Sequence, residues 1–315
     1  MYYSEQLKKL KSTVPLYLEY LKKNVNGKKN YITNPIVLFK TEGTIKLKDG
    51  QSFPFNKHNK TDIINLVLFA LENGVIFGLS KRSWRFYPSE GVIKTPDGIK
   101  ISIKGFDSMI MSETFLNDIH FVDFDLSGKI IIDAGGFTGD TSLYYANKGA
   151  KVYSFEPDPN SYKIAKYNIS LNPRLHSKII FKNYALGKDG KINFPINPYG
   201  SGGSSIYNYN TKHTNKIESL SLTSVIKKFK INNPYLLHLD VKGCEFDLIQ
   251  DPSISKFKRL KIEYSSYLVK GKNKNPEYIL GILKKYGFTN IRVYKHNYLR
   301  YDLSYHGTID AIKKT

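Results

Sequence analysis

The run Lys129-Ile-Ile-Ile-Asp133, followed without a break by Ala-Gly-Gly-Phe-Thr-Gly139, constrains the fold more than any other stretch of the 315 residues. Three consecutive isoleucines leave no polar face, so a strand here must be covered on both sides, as parallel strands in α/β proteins are. Glycines directly after it suit a tight strand-to-helix turn, because they enter backbone regions closed to other residues. Parallel strands cannot be joined by hairpins, and each pair needs a crossover, usually a helix. The sequence from here on alternates accordingly. Strands are expected at 129–133, 151–156, 179–184, 235–240, 260–264, 291–294 and 308–312, with helices at 140–148, 158–171, 222–229 and 276–286. An extra strand at 192–196 leads into the glycine- and serine-rich loop 200–205.

The expected fold class is therefore α/β: a doubly wound, seven-stranded, Rossmann-like sheet. A small α+β region precedes it. Leu7, Leu10, Val14, Leu18 and Leu21 recur at helical spacing, divided by Pro15. Residues 36–56 read as strands turning at Lys48-Asp49-Gly50, residues 61–73 as a helix stopped by Gly74, and residues 75–104 as further strands. The division expected is 1–110 for this N-terminal region or cap and 111–315 for the catalytic domain. The most apolar stretch, 63–79, is interrupted by Asn65, Glu72, Asn73 and Gly74, so no transmembrane span is expected. No secretory signal pattern opens the chain, and Cys244 is its one cysteine, so a reducing, cytoplasmic setting is the expectation.

The strand ends carry the chemistry. In Asp133-Ala-Gly135-Gly136-Phe-Thr-Gly139-Asp140 the glycines are adjacent and then three apart, behind an acidic residue. A dinucleotide fingerprint would read G-x-G-x-x-G. An acid ahead of the glycines disfavours a pyrophosphate and suits a cationic group, such as the amino group or sulfonium of S-adenosylmethionine (SAM). The second strand ends at Glu156, where a carboxylate can accept hydrogen bonds from both ribose hydroxyls. The third ends in Asn183-Tyr184-Ala185-Leu186-Gly187, where an adenine edge would lie. Asp133, Gly135, Gly136, Gly139, Glu156, Tyr184 and Ala185 are the expected cofactor contacts.

The sequence resembles the FkbM family of methyltransferases over about residues 110–295. Three blocks carry the resemblance: Asp133 to Ser142 with Phe155-Glu-Pro-Asp158; Ala185-Leu-Gly187 with the loop 200–205; and Leu239-Asp-Val-Lys-Gly-Cys-Glu-Phe-Asp-Leu-Ile249 with Ile262-Glu263. The family typically carries D-x-E-G-x-E in the third block, and Lys242 stands here where it favours Glu. Glu113 resembles an acidic position the family often has ahead of the glycines. The resemblance implies a methyltransferase sheet, SAM as cofactor, and methyl transfer to oxygen, often on sugars or glycolipids.

A hydroxyl acceptor needs a base within hydrogen-bond reach. Asp240, Glu245 and Glu263 are the catalytic candidates, with His238 and Lys242 as substrate contacts; a core role for His238 and a helix-start role for Glu245 compete with these. The three carboxylates could also hold Mg²⁺, although the histidines show no short ligand spacing and no metal is expected. The acceptor expected is a hydroxyl-bearing, carbohydrate-containing molecule. RNA is the alternative, because the net charge is +21. Asn232-Asn-Pro-Tyr235 precedes its strand, so it does not match the N-P-P-Y grip on an exocyclic amine, which follows strand four. A degenerate fold that binds a partner through the basic surface is a third reading. Almost all the positive charge is Lys, which lacks the bidentate geometry of Arg. Non-specific binding of RNA or DNA is therefore expected at low salt and lost near physiological salt, as counterion release weakens. Filter binding across a salt series checks this, and sequence-dependent binding at physiological salt would support the RNA reading.

Overall fold

The computed structural model describes residues 31–78, 80, 82–195, 214–269, 275–294 and 306–313. The helical spacing at 4–23 and the loop at 200–205 lie outside the described residues. Seven strands form one sheet: β1 (Ile130–Ala134), β2 (Lys151–Phe155), β3 (Ile179–Lys182), β4 (Leu236–Leu239), β5 (Arg259–Ser265), β6 (Phe288–Tyr294) and β7 (His306–Lys313). Their spatial order is 3-2-1-4-5-7-6. Strands β1 to β5 pair in parallel, and β7 runs antiparallel between β5 and β6. The order reverses at β1, so the crevice for a ligand lies at the carboxyl ends of β1 and β4.

The apolar strand runs divide between two cores. Ile131 and Val152 face one, and Ile132 and Tyr153 face the other, the alternation that a pleated strand imposes. The first core is roofed by α1 (Lys60–Asn73), α2 (Ser108–Phe115), α3 (Asp140–Asn147) and α4 (Pro159–Ser170). The second is covered by α5 (Leu222–Lys228), α6 (Glu245–Leu248) and α7 (Pro276–Lys285). Helix starts follow sequence chemistry. Asp158 accepts from the Asn160 and Ser161 amides ahead of α4, whose first residue is proline, and Asn275 does the same for the Tyr278 amide of α7. Gly74 ends α1 in the left-handed region.

The N-terminal region contributes α1, the hairpin Gly43–Lys46 with Ser52–Phe55, and a three-stranded sheet of Arg85–Tyr87, Val92–Lys94 and Lys100–Ser102. It shares the first core, and two asparagines hold it to the sheet domain. Asn168 Oδ1 accepts the Ser102 amide at 2.8 Å. Asn172 accepts the Lys100 amide at 2.9 Å and donates to the Lys100 carbonyl at 2.7 Å. These side chains take the place of a neighbouring strand on the edge of Lys100–Ser102. Three local readings differ from the sequence expectation. Pro35–Phe39 is a 3₁₀ turn and not a strand, α2 was not foreseen, and the strand Gly190–Pro195 is completed by Thr214–Leu220. Among the described residues, no helix is long and apolar enough to cross a membrane.

Gly135 locks β1 to β4. At φ +88°, a β-carbon there would lie 2.0 Å from the Asp240 carbonyl oxygen. Gly135→Ala combines left-handed strain with overpacking against backbone, and should cost about 3–5 kcal/mol. Gly128 also has a positive φ, +71°, but open space around it, so Gly128→Ala should cost only about 1–2 kcal/mol. Urea denaturation of the two variants checks the difference; equal losses would show that the approach of Asp240 is not limiting.

Candidate active site

Each strand of the crevice ends in a residue that the next element holds. Asp133, near the end of β1, is fully buried. Its Oδ2 accepts hydroxyls from Thr141 at 3.0 Å, Ser142 at 3.1 Å and Ser154 at 2.8 Å, and its Oδ1 lies 2.9 Å from His238 Nδ1. Burial pushes its pKa up, but the His238 contact and the hydroxyls outweigh that and hold it below the ordinary carboxylate range. The sequence reading aimed this carboxylate at a cationic ligand. The structure spends it on α3, β2 and β4, and it does not line the cavity. His238 is buried with it, its ring 4.9 Å from His120 and 5.8 Å from Tyr145.

The glycine turn crosses above this network. Gly135, Phe137 and Gly139 all have positive φ, and the Gly135 and Gly136 amides both donate to the Phe155 carbonyl. A β-carbon on Gly136 would meet Ser154 Oγ at 2.1 Å. These glycines thus permit close packing of the protein on itself. Glu156, at the tip of β2, clasps the turn: Oε2 accepts the Phe137 amide at 2.9 Å and Oε1 the Asp158 amide at 2.8 Å. Burial raises its pKa to about 8 against those two hydrogen bonds.

A cavity of about 550 Å³ opens over the carboxyl ends of these strands. Of the expected residues, Gly135, Glu156, Ala185, Asp240, Lys242 and Glu263 line it. Gly136, Gly139, Tyr184 and Glu245, like Asp133 and His238, are not in its wall. Tyr184 stacks on Phe155 at 6.5 Å with Lys228 over its ring. Glu245 is fully buried; its carboxylate accepts the Gly243 and Ser265 amides, each at 2.6 Å, and so ties the turn after β4 to the end of β5. Burial raises its pKa to about 7.

At one end of the cavity the side chains converge. Lys242 Nζ lies 2.7 Å from Asp240 Oδ1 and 2.7 Å from Glu263 Oε1. The same Glu263 oxygen is 3.2 Å from His306 Nε2. Burial, and then the Glu263 charge, raise the Asp240 pKa against the pull of Lys242. For Lys242, burial works against the charge, but Asp240 and Glu263 outweigh it and hold the ammonium well above its usual range. At another end Asp140, the first residue of α3, accepts the Thr114 hydroxyl at 2.9 Å and is raised to about 7 by burial. Sequence reasoning missed Asp140 as a site residue, although its place after the glycine turn was a usable signal. It missed His306 for a different reason. That residue reaches the site only through the antiparallel register of β7, which pairs it with Ser265.

Residues 133–289 match the family model described as the methyltransferase FkbM domain. This stretch is an FkbM methyltransferase domain. No curated protein matches the chain. Among solved structures, it is similar to methyltransferase FkbM from Methylobacillus flagellatus KT, at 17% identity and TM-score 0.43, over 61% of this chain. The match spans 45% of the length of that protein. It is also similar to fibrillarin from Aeropyrum pernix with natively bound SAM, at 12% identity and TM-score 0.41, over 87% of this chain and 94% of that one. A third is the magnesium protoporphyrin IX methyltransferase of Synechocystis PCC 6803 with bound SAM, at 16% identity and TM-score 0.36, over 60% and 72%.

The buried carboxylates give the ligand-free FkbM domain a pH signature. Glu156, Glu245 and Asp140 have folded pKa values of about 8, 7 and 7, above their ordinary 4.5, 4.5 and 3.8. The folded state therefore binds protons more tightly than the unfolded chain. Their stabilising share is full below the unfolded values and is lost as pH rises through 7 to 8. Asp133, held low, acts oppositely and loses its share only in acid. Thermal midpoints should fall between pH 6 and 9, and Glu245→Gln should flatten part of that slope. A flat wild-type profile would contradict the assignment.

Proposed function

We propose that the chain transfers the methyl group of SAM to a hydroxyl of a neutral, carbohydrate-containing acceptor. One observation carries this reading. The chain bears +21 overall, yet its cavity is acidic. The wall carries Asp107, Glu113, Asp240, Asp247 and Glu263 against Lys188 and Lys242, while Asp140 and Glu156, raised to about 7 and 8, hold protons much of the time near neutral pH. Such a field favours a cationic ligand and disfavours phosphate within the cavity. SAM, when bound, supplies an electrophilic methyl group on a positively charged sulfur.

The residues present fit that cofactor. The cavity has the volume of a small-molecule site. Phe155, Ala185 and Leu186 give an apolar slot with Glu156 beside it, and Glu113 and Asp140 give an acidic region for an ammonium group. Glu156 already accepts two amides, and a carboxylate has capacity for further donors. Asp133, Gly136, Gly139 and Tyr184 support this pocket from behind. Asp240 and Glu263 are positioned to orient the acceptor hydroxyl and take its proton, with Glu245 fixing the turn between them. In this reading residues 111–315 are the catalytic domain and residues 1–110 the accompanying α+β region. RNA remains the second reading on the strength of the basic exterior, and the acidic wall argues against it.

Calorimetry should show SAM and S-adenosylhomocysteine binding, weakened by about 1.5–3 kcal/mol in Glu156→Ala. Unchanged affinity in a folded variant removes Glu156 from the ribose role. Radiolabelled SAM screened against glycans and RNA identifies the acceptor class. With an acceptor in hand, Asp240→Asn and Glu263→Gln should keep SAM affinity and lose about 10²–10⁴-fold in single-turnover rate. Near wild-type rates in both would refute their catalytic role.

A further inference from the structure

The turn after β4 carries a cation whose place is unusual. Asp240 lies just past the end of β4 and Glu263 two residues short of the end of the adjacent parallel strand β5, each one residue beyond the Leu239–Ile262 register pair. Two carboxylates so placed repel, and without a counter-charge one of them keeps its proton. Lys242 adopts φ +46°, a region that non-glycine residues enter at a cost, and its ammonium reaches one oxygen of each carboxylate at 2.7 Å. A strained backbone that persists is over-determined by its surroundings. The two ion pairs are among the contacts that hold it, with the Glu245 carboxylate accepting the next amide, Gly243.

We infer that Lys242 is a positioning residue: a built-in cation that keeps Asp240 and Glu263 ionised and fixed at neutral pH, and that leaves no room for a bridging divalent ion between them. The inference rests on the reading of this cluster as the acceptor end of the site. Magnesium and calcium bind carboxylate oxygens at about 2.0–2.6 Å, so the ammonium and a bridging metal ion exclude one another. Among the described residues, other groups facing the pair include His238 on β4, Glu245 behind the turn, Glu156 just past β2 and His306 on β7. Asp247 and Cys244 lie along the same wall. Of these, Glu156 and Glu245 are raised to about 8 and 7 by burial, and Lys242 is an ammonium within ion-pair distance of both Asp240 and Glu263. With both ionised, a hydroxyl presented there meets oxygens that can only accept a proton.

The test uses the full chain without ligand. In Lys242→Met one carboxylate takes up a proton in the folded state. Its folded pKa then lies above its unfolded value, and stability is lost as pH rises through it. The thermal-midpoint profile between pH 5 and 9 should move by about one pH unit from wild type, and Lys242→Arg should restore it. Mn²⁺ titration, followed by paramagnetic relaxation of water, should reveal a site in Lys242→Met about tenfold tighter than any in wild type. Adding Asp240→Asn to that variant should abolish it. A wild-type pH profile together with no gain of Mn²⁺ overturns the inference. Wild type gives a second reading should Lys242→Met not fold. Mn²⁺ binding that Asp240→Asn removes overturns the inference, and its absence, with the pH profile kept in Lys242→Arg, upholds it. Neither measurement needs an acceptor, so failure of the methyl-transfer reading would be seen separately.

Discussion

The architecture of the crevice depends on one buried carboxylate. Asp133 gathers hydroxyls from the first turn of α3 and from β2, and the imidazole of His238 from β4. An unpaired charge at this depth would be costly, and removing any partner leaves a buried acceptor short of a donor. The network therefore sets the spacing of β1, β2 and β4 from within. The glycine turn can pass directly over it only because Gly135 and Gly136 carry no β-carbon to strike Asp240 and Ser154. The cavity floor is thus fixed by contacts the ligand never makes.

Much of this was legible in the sequence, and the limits of legibility have physical causes. The seven strands and the helices at 140–147, 159–170, 222–228 and 276–285 were readable because each carries a continuous or periodic apolar pattern, and the last three helices also start behind a capping side chain. Helix α2 was not, since Ser108–Phe115 spans two turns with a weak apolar stripe and takes its stability from packing against α1 and α3. In the site, strand ends were readable as places but not as directions. Asp133, His238 and Asp240 alternate onto one side of the sheet, yet the first two are roofed by α3 and His120 while the third reaches the cavity. Whether a helix covers a strand end is a tertiary fact.

The charge of the chain and the charge of its cavity have opposite sign, and the two act on different length scales. Surface lysines act through solvent and are screened within roughly 8–10 Å at ordinary ionic strength. The carboxylates of the cavity wall act at contact distance in a partly dehydrated space, where each charge counts for more. Net charge therefore described how the molecule meets polyanions in bulk, and said little about what the cavity holds. The half of Lys242 that mattered was its position beside Asp240 and Glu263, not its contribution to the total.

The antiparallel strand β7 sits between β5 and β6, although it follows both in the chain. Among the described residues strand β6 pairs with β7 and no other strand, so it has no such ladder to join while the chain is still emerging from the ribosome. Until His306–Lys313 is made, β5 presents an open hydrogen-bonding edge. The closing step is a strand insertion that aligns β5 and β6 at once, a non-local event of the kind that slows folding. Any cell making this protein must keep that edge from finding another nascent chain first.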